Sequence, residues 1–401
     1  MRNSVVRRAC AVASCLAAVA AIGCGPADPV QVGPDGTGKP GKPGKEPGGQ
    51  GSSTSKPAKP VTSCTVKSDK IIGDGETPAI AFGGGHFAVA YTDPRDNGGD
   101  VVLVIADDHG SVLGEHRVSS GPGAAVSPAV TTLAGGGFLL TWEELAGAGG
   151  DVRALHVDAD GKPRGKVITV ASAGSHEAHP DATETANGAL VAWTEAGGAR
   201  IGEIKDGALS GQIALPGSAQ AAVASARSGG AAVWSVGAQI GFAKLPSALG
   251  GEVPSPITFR TAAGRGNVPR VAAGPDGSYL VVWEDTRGGA DNEAIYFATI
   301  GEGGKPSDEK QISPPSGSAN YPDVAFIGGR AAVTYYQWRD GPSSVYLSLI
   351  DPSRGPVGEE LKISGKAAAR FPRIVSAKGT ELGVSYAQRD GSIRLAIVTC
   401  E

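Results

Sequence analysis

One pattern recurs seven times along this chain, and few folds can absorb it. The stretches TPAIAFGGGHFAVAYTDPR, SPAVTTLAGGGFLLTWEE, HPDATETANGALVAWTE, AAVASARSGGAAVWS, VPRVAAGPDGSYLVVWEDTR, YPDVAFIGGRAAVTYYQWR and FPRIVSAKGTELGVSYAQR share one plan. Each has a short apolar strand, a Gly-rich turn and a second strand ending in an aromatic residue. The aromatic anchors are Tyr91, Trp142, Trp193, Trp234, Trp283, Tyr335 and Tyr386. Most steps between them are about fifty residues; the step from Trp193 to Trp234 is shorter. A proline opens six of the units (Pro78, Pro128, Pro180, Pro269, Pro322 and Pro372), and Ala222 takes its place in the fourth. A strand's first residue needs no ladder donor, so proline fits there.

Each unit continues with a third strand, such as DVRALHVD, EAIYFATI or SSVYLSLI. A hairpin turn such as DDHGSVLG or ADGKPRG follows, with glycine where tight turns need positive φ. A fourth strand such as EHRVS, KQIS or LKIS completes the unit. Four antiparallel strands, seven times over, predict an all-β, seven-bladed β-propeller across residues 64–401. Composition agrees: Gly 62, Pro 28 and only 5% aromatics favour short strands and tight turns over long helices.

Ring closure is also legible. The seventh unit stops after its third strand, SIRLAIVTC, while CTVKSDKII ahead of the first unit matches the fourth-strand pattern. The N-terminal strand should therefore complete the last blade. Cys64 and Cys400 then stand where other blades have a hairpin, so a disulfide is expected to replace it. For so long a loop, the chain-entropy account gives ~2–5 kcal/mol.

The run VVWEDTRGG at 281–289 passes abruptly from apolar residues to charge. By the two-residue period Val281 and Trp283 share one strand face, and Val282 takes the other. Both faces of a blade pack on neighbouring blades, so the run is apolar throughout. Trp283 is expected to act as an inter-blade wedge contributing ~1.5–3 kcal/mol, with Glu284, Asp285 and Arg287 beginning a solvated loop. The same offset places Arg95 after Tyr91 and Arg339 after Tyr335, and Arg389 follows Tyr386 one residue sooner. These units are one, five, six and seven, consecutive in a closed ring. Arg95, Arg287, Arg339 and Arg389 are thus candidates for an anion-binding arc on one face. The competing reading has each arginine pin its own turn through Asp93, Asp285, Asp340 or Asp390.

The repeat VVWEDTRGGADNEAIYFATI resembles a motif of secreted bacterial propellers: apolar pair, Trp, acid, Asp, any residue, Arg, then an IY strand. That resemblance implies fold and export without implying one activity. Sialidases are similar in architecture and hold a carboxylate with several arginines. This chain lacks their Ser-x-Asp-x-Gly-x-x-Trp turn, DPSRGPVG being the nearest stretch, and Tyr91, Tyr335 and Tyr386 are engaged as anchors.

Residues 1–23 read as an export signal: Arg2, Arg7 and Arg8 precede a small apolar run, and AIGC at 21–24 resembles the bacterial lipobox. That resemblance implies lipidation of Cys24, with Gly25 favouring the outer membrane. Residues 24–63, rich in Gly, Pro, Lys and Ser, read as a disordered stalk. Fully polyproline-like, it would reach on the order of 100 Å at ~3.1 Å per residue.

A net charge of -4 carries no nucleic-acid footprint. No Gly-x-Ser-x-Gly elbow and no phosphate loop occur. HEAH at 176–179 lacks the spacing of a zinc helix and is placed in an inter-blade loop; DADG at 158 and DNGGD at 96 are too short for calcium loops. No cofactor and no metal are expected. The sequence thus predicts a monomeric, lipid-anchored envelope module that binds a protein or an anionic polysaccharide on one propeller face. A hydrolase or lyase acting on anionic glycans and a purely structural envelope component are the alternatives.

Overall fold

A computed structural model describes residues 59–401, apart from 96–97, 120–122, 147–148, 173–176, 227–228, 251–254, 260–263, 290–291 and 340. The signal, Cys24 and nearly all of the stalk lie outside the described residues. Every regular element among those described is a strand, numbered β1 to β28 in chain order. They form seven four-stranded antiparallel sheets. The inner strands are β2 (Glu76–Gly83), β6 (Ala124–Thr132), β10 (Ala178–Thr185), β14 (Ser218–Ala226), β18 (Gly266–Ala273), β22 (Ala319–Ile327) and β26 (Ala369–Ser376). Each neighbours the next, and β26 returns to β2, closing the ring.

The closure is as the sequence predicts. In the last sheet, β1 (Cys64–Asp74) pairs with β28 (Ser392–Cys400), which pairs in turn with β27 (Glu381–Gln388), the order being β1-β28-β27-β26. Cys64 stands opposite Cys400, and the two form a disulfide. Just upstream, Val61 is buried and donates its N–H to the carbonyl of Gly328 at 3.1 Å, tying the chain entry to blade six. A Cβ on Gly328 would lie 2.5 Å from Val61 Cγ1, so this turn needs a glycine. The shorter fourth step also has a cause: Gly217 alone joins β13 (Ala208–Pro216) to β14.

Burial follows the two-residue period. All seven aromatic anchors are buried, Trp283, Tyr335 and Tyr386 at 0% exposure. Val281 and Trp283 pack in the cluster shared with Phe242 and Phe259 of blade four, while Val282 packs with Val324 and Tyr335 of blade six. In blade four the third strand meets the indole with Gly241, where a Cβ would lie 2.6 Å from the Trp234 ring.

Three expectations need correction. The prolines do not open their strands. Each follows a β-bulge residue inside the inner strand, where the ladder skips two positions and the missing N–H costs no ladder bond. In the fourth unit that place belongs to Ala221, not Ala222, because the bulge falls between Ala219 and Ala221. Finally, water does not begin at Glu284. β19 (Tyr279–Asp285) runs on and both residues are buried, Asp285 pairing with Arg287 and Glu284 accepting the Tyr321 N–H.

Candidate functional site

The seven bulges make one ring. Seven of the eight non-glycine residues with positive φ among those described are the bulge residues Thr77, Ser127, His179, Gln220, Val268, Tyr321 and Phe371. Left-handed backbone is costly for bulky and β-branched side chains. Each bulge turns one side chain toward the channel mouth, and the following residue, five prolines and Ala221, joins its wall in every unit but the fifth, where Arg270 does so instead of Pro269. His179 is therefore a mouth residue in β10, which corrects the expected loop position for Ala178 and His179 alone; Glu177 precedes the strand, and His176 lies outside the described residues.

One residue further on, six residues line the channel: Ala79, Ala129, Asp181, Arg270, Asp323 and Arg373; Ala222 of the fourth unit packs in the core instead. Four of the six are charged, all at one level. Arg373 reaches across the channel, its Nη2 lying 3.6 Å from Asp181 Oδ1 and its Nη1 3.9 Å from Asp323 Oδ1. Both acids are anchored on the next blade, Asp181 accepting from Val223 N–H at 3.0 Å and Asp323 from Ile374 N–H at 2.9 Å. Arg270 has no carboxylate within ion-pair distance among the described residues. Its Nε lacks a hydrogen-bond partner, and its Nη1 donates only to the carbonyl of Pro269 at 3.2 Å. Burial and the field of Arg373 lower the Arg270 pKa, while burial raises that of Asp323. Arg270 and Arg373 form the floor of a mouth cavity of about 230 Å³ and the roof of a second cavity below.

Behind the rim lies Glu284. Its Oε1 accepts the N–H of Tyr321 at 2.6 Å, and burial, helped by the charge of Glu293, pushes its carboxyl up to about 7.

The loop arginines occupy another place. Arg287 donates to Asp285 through Nε at 2.9 Å and Nη2 at 2.7 Å, and to Glu309 at 2.5 Å, with its guanidinium 3.9 Å from the centre of the Tyr296 ring. Arg339 bonds Gln337 at 2.8 Å and Glu360 at 2.5 Å over the ring of Tyr346. Both run outward along their blades. Arg95 bonds Asp93 at 2.7 Å and is largely exposed. Arg389 is exposed; Asp390 accepts from Ser392 instead. Asp340 lies outside the described residues. In blades two, three and seven the guanidinium comes from the third strand: Arg153 pairs with Glu144, Arg200 with Glu195 and Arg394 with Asp69. An internal guanidinium–carboxylate brace is thus common to six blades. It does not single out an arc of four.

The channel-facing charges escaped the sequence reading because no motif marks them. The signal was present in the residue after each opening proline, which reads Ala in two units, Asp in two and Arg in two.

No family model and no curated protein sequence match the chain. Solved structures do. A protein of unknown function from Dyadobacter fermentans superposes with a TM-score of 0.55 at 13% identity, over 84% of this chain and 99% of that one. An α-L-arabinofuranosidase of Fusarium graminearum bound to arabinobiose gives 0.52 at 10%, over 83% and 98%. A Penicillium chrysogenum α-L-arabinanase bound to arabinobiose gives 0.51 at 13%, over 84% and 97%. The likeness is one of fold. At these identities the propeller is common ground and the chemistry of each mouth is its own.

Proposed function

We propose that this protein is a lipid-anchored cell-envelope module that binds an anionic glycan at the mouth of its central channel. One observation carries the reading: Arg270 presents a guanidinium without a carboxylate partner at the floor of a cavity rimmed by Tyr321 and Phe371. No carboxylate hydrogen-bonds the buried Arg270 guanidinium, which feels Asp181 and Asp323 only through their fields, and a ligand carboxylate supplies the missing bonds in bidentate form. The apolar prolines and aromatic rim suit the faces of a sugar ring. In this reading the loop arginines brace their blades, and Cys24 carries the lipid that the AIGC stretch implies.

The test is titration of the protein with acidic and carboxyl-reduced oligosaccharides. Arg270→Ala should weaken acid binding at least tenfold, leave the unfolding midpoint nearly unchanged, and not alter any response to the reduced sugars. Equal binding by wild type and variant would discard the reading.

A hydrolase or lyase is the second reading, favoured by Asp323. Its carboxyl, raised by burial, lines the cavity just below the mouth floor beside Arg373, and a raised carboxyl is what a general acid needs. Asp323→Asn should then abolish turnover of an acidic oligosaccharide without abolishing its binding. A wild-type protein that binds such sugars and never cleaves them retires this alternative.

A further inference from the structure

Six large apolar side chains are exposed among the described residues, and only two are aromatic: Tyr321 at 42% and Trp338 at 39%. The other four lie on outer strands: Ile71 on β1, Val112 and Leu113 on β5 (Val112–Arg117), and Val167 on β9 (Pro163–Ala171). Both exposed aromatics lie on the mouth side of blade six, and a continuous chain of rings joins them. Phe371, on the mouth rim, meets Tyr321 edge-on at 4.9 Å between centroids. Tyr321 lies nearly parallel to Tyr336 at 5.8 Å, and Tyr336 meets Trp338 edge-on at 5.0 Å. The ledge therefore runs from the channel mouth outward over blade six. It is held rigidly: Tyr336 is buried at the end of β23 (Arg330–Gln337), and Glu284 clamps the backbone of Tyr321. Arg370, its guanidinium 6.0 Å from the Phe371 ring, adds positive charge and has no ion pair among the described residues.

The mouth at the inner end of this ledge is closed below by the Arg270 and Arg373 guanidinium groups. A cavity of about 230 Å³ above such a floor has room for one sugar ring. We infer that the protein recognises the end of a uronate-containing polysaccharide: the terminal sugar enters the mouth with its carboxylate on Arg270, and the preceding sugars lie along the aromatic ledge to Trp338. This rests on the anionic-ligand reading above and adds the ligand class, its polarity and its extent. The apolar faces of pyranose rings complement the exposed rings of Tyr321 and Trp338, which the buried Tyr336 ring holds apart. A peptide carboxylate would satisfy Arg270 equally well and would leave the ledge unexplained.

The experiment titrates the full chain with uronate monosaccharides, their trimers and hexamers (galacturonate, glucuronate-containing and alginate series), and an acidic hexapeptide. The trimer should bind at least tenfold more tightly than the monomer, with little further gain at the hexamer. Trp338→Ala should bring the trimer down to near the monomer's affinity and leave the monomer unchanged. Tyr321→Ala should weaken both. Trp338 is a surface residue, and an unchanged circular dichroism spectrum confirms that its variant folds. Length-independent binding, or a Trp338→Ala effect equal on monomer and trimer, overturns the ledge. Binding of the peptide with no uronate bound leaves the anionic site standing and overturns the sugar. Binding of neither removes both.

Discussion

At the residue scale, Glu284 shows how a propeller can place a buried carboxylate where it shapes a site without touching a ligand. Its acceptor oxygen fixes Tyr321 in a backbone conformation that a tyrosine rarely adopts. Burial raises its pKa to about 7, with Glu293 adding to the shift and Arg270 opposing it. The sign follows from proton linkage. Between the unfolded value of about 4.5 and the folded value, the native state holds a proton that the unfolded state has lost, so stability falls as pH rises through this window. The full effect is about 3 kcal/mol, lost above pH 7. Glu284→Gln keeps the acceptor for the Tyr321 N–H and removes the titration. The difference in unfolding free energy between variant and wild type should therefore grow with pH from about 4.5 to 7 and then level off. A difference that stays constant with pH would show that Glu284 is ionised throughout.

At the element scale, the bulged inner strand is what turns a repeat into a site. The sequence made the units, their four strands and their anchors legible, because apolar alternation and the aromatic at a fixed offset are strong period signals. It did not reveal the bulge. An extra residue in one strand shifts the register locally and leaves the composition of the repeat unchanged, so Pro78 or Pro322 reads equally well as a strand opener. The same blindness hid the charged ring: Asp181, Arg270, Asp323 and Arg373 look like ordinary polar residues until the bulge is known to turn that position toward the channel. The sequence left the brace and the arc side by side because two different sequence positions deliver one guanidinium. Arg287 arrives from the loop over Tyr296, whereas Arg153 arrives from the third strand opposite Trp142. Val268 gives this element a direct test. It is a β-branched residue at φ 45, where strain costs on the order of 1–2 kcal/mol, and asparagine tolerates this region far better. Its N–H bond to Gln220 Oε1 does not depend on the side chain. Val268→Asn should raise the unfolding free energy by about 1 kcal/mol in denaturant titration. A loss of stability would mean that the packing of the valine outweighs its backbone strain.

At the scale of the whole molecule, closure and recognition lie at opposite ends of the ring. The inner strands begin at the mouth, and β28 runs from that end to Cys400 at the other. There the carbonyl of Glu401 accepts from Thr62 and Ser63 N–H, and Val61 packs against the Gly328 turn. The disulfide lies in the same distal seam, alongside a β1–β28 ladder that already holds the two strands in register from Cys64 to Asp74. Its contribution should thus be to global stability, with no effect on the shape of the mouth. Replacing Cys64 and Cys400 together by serine should cost about 2–5 kcal/mol, seen as a lower denaturant midpoint. Under native conditions the same variant should bind an acidic oligosaccharide as tightly as wild type, because the ladder alone keeps blade seven complete and Arg373 in place. An unchanged midpoint would assign closure to the ladder by itself. Weakened binding by the folded variant would show that the seam sets the geometry of the distant mouth.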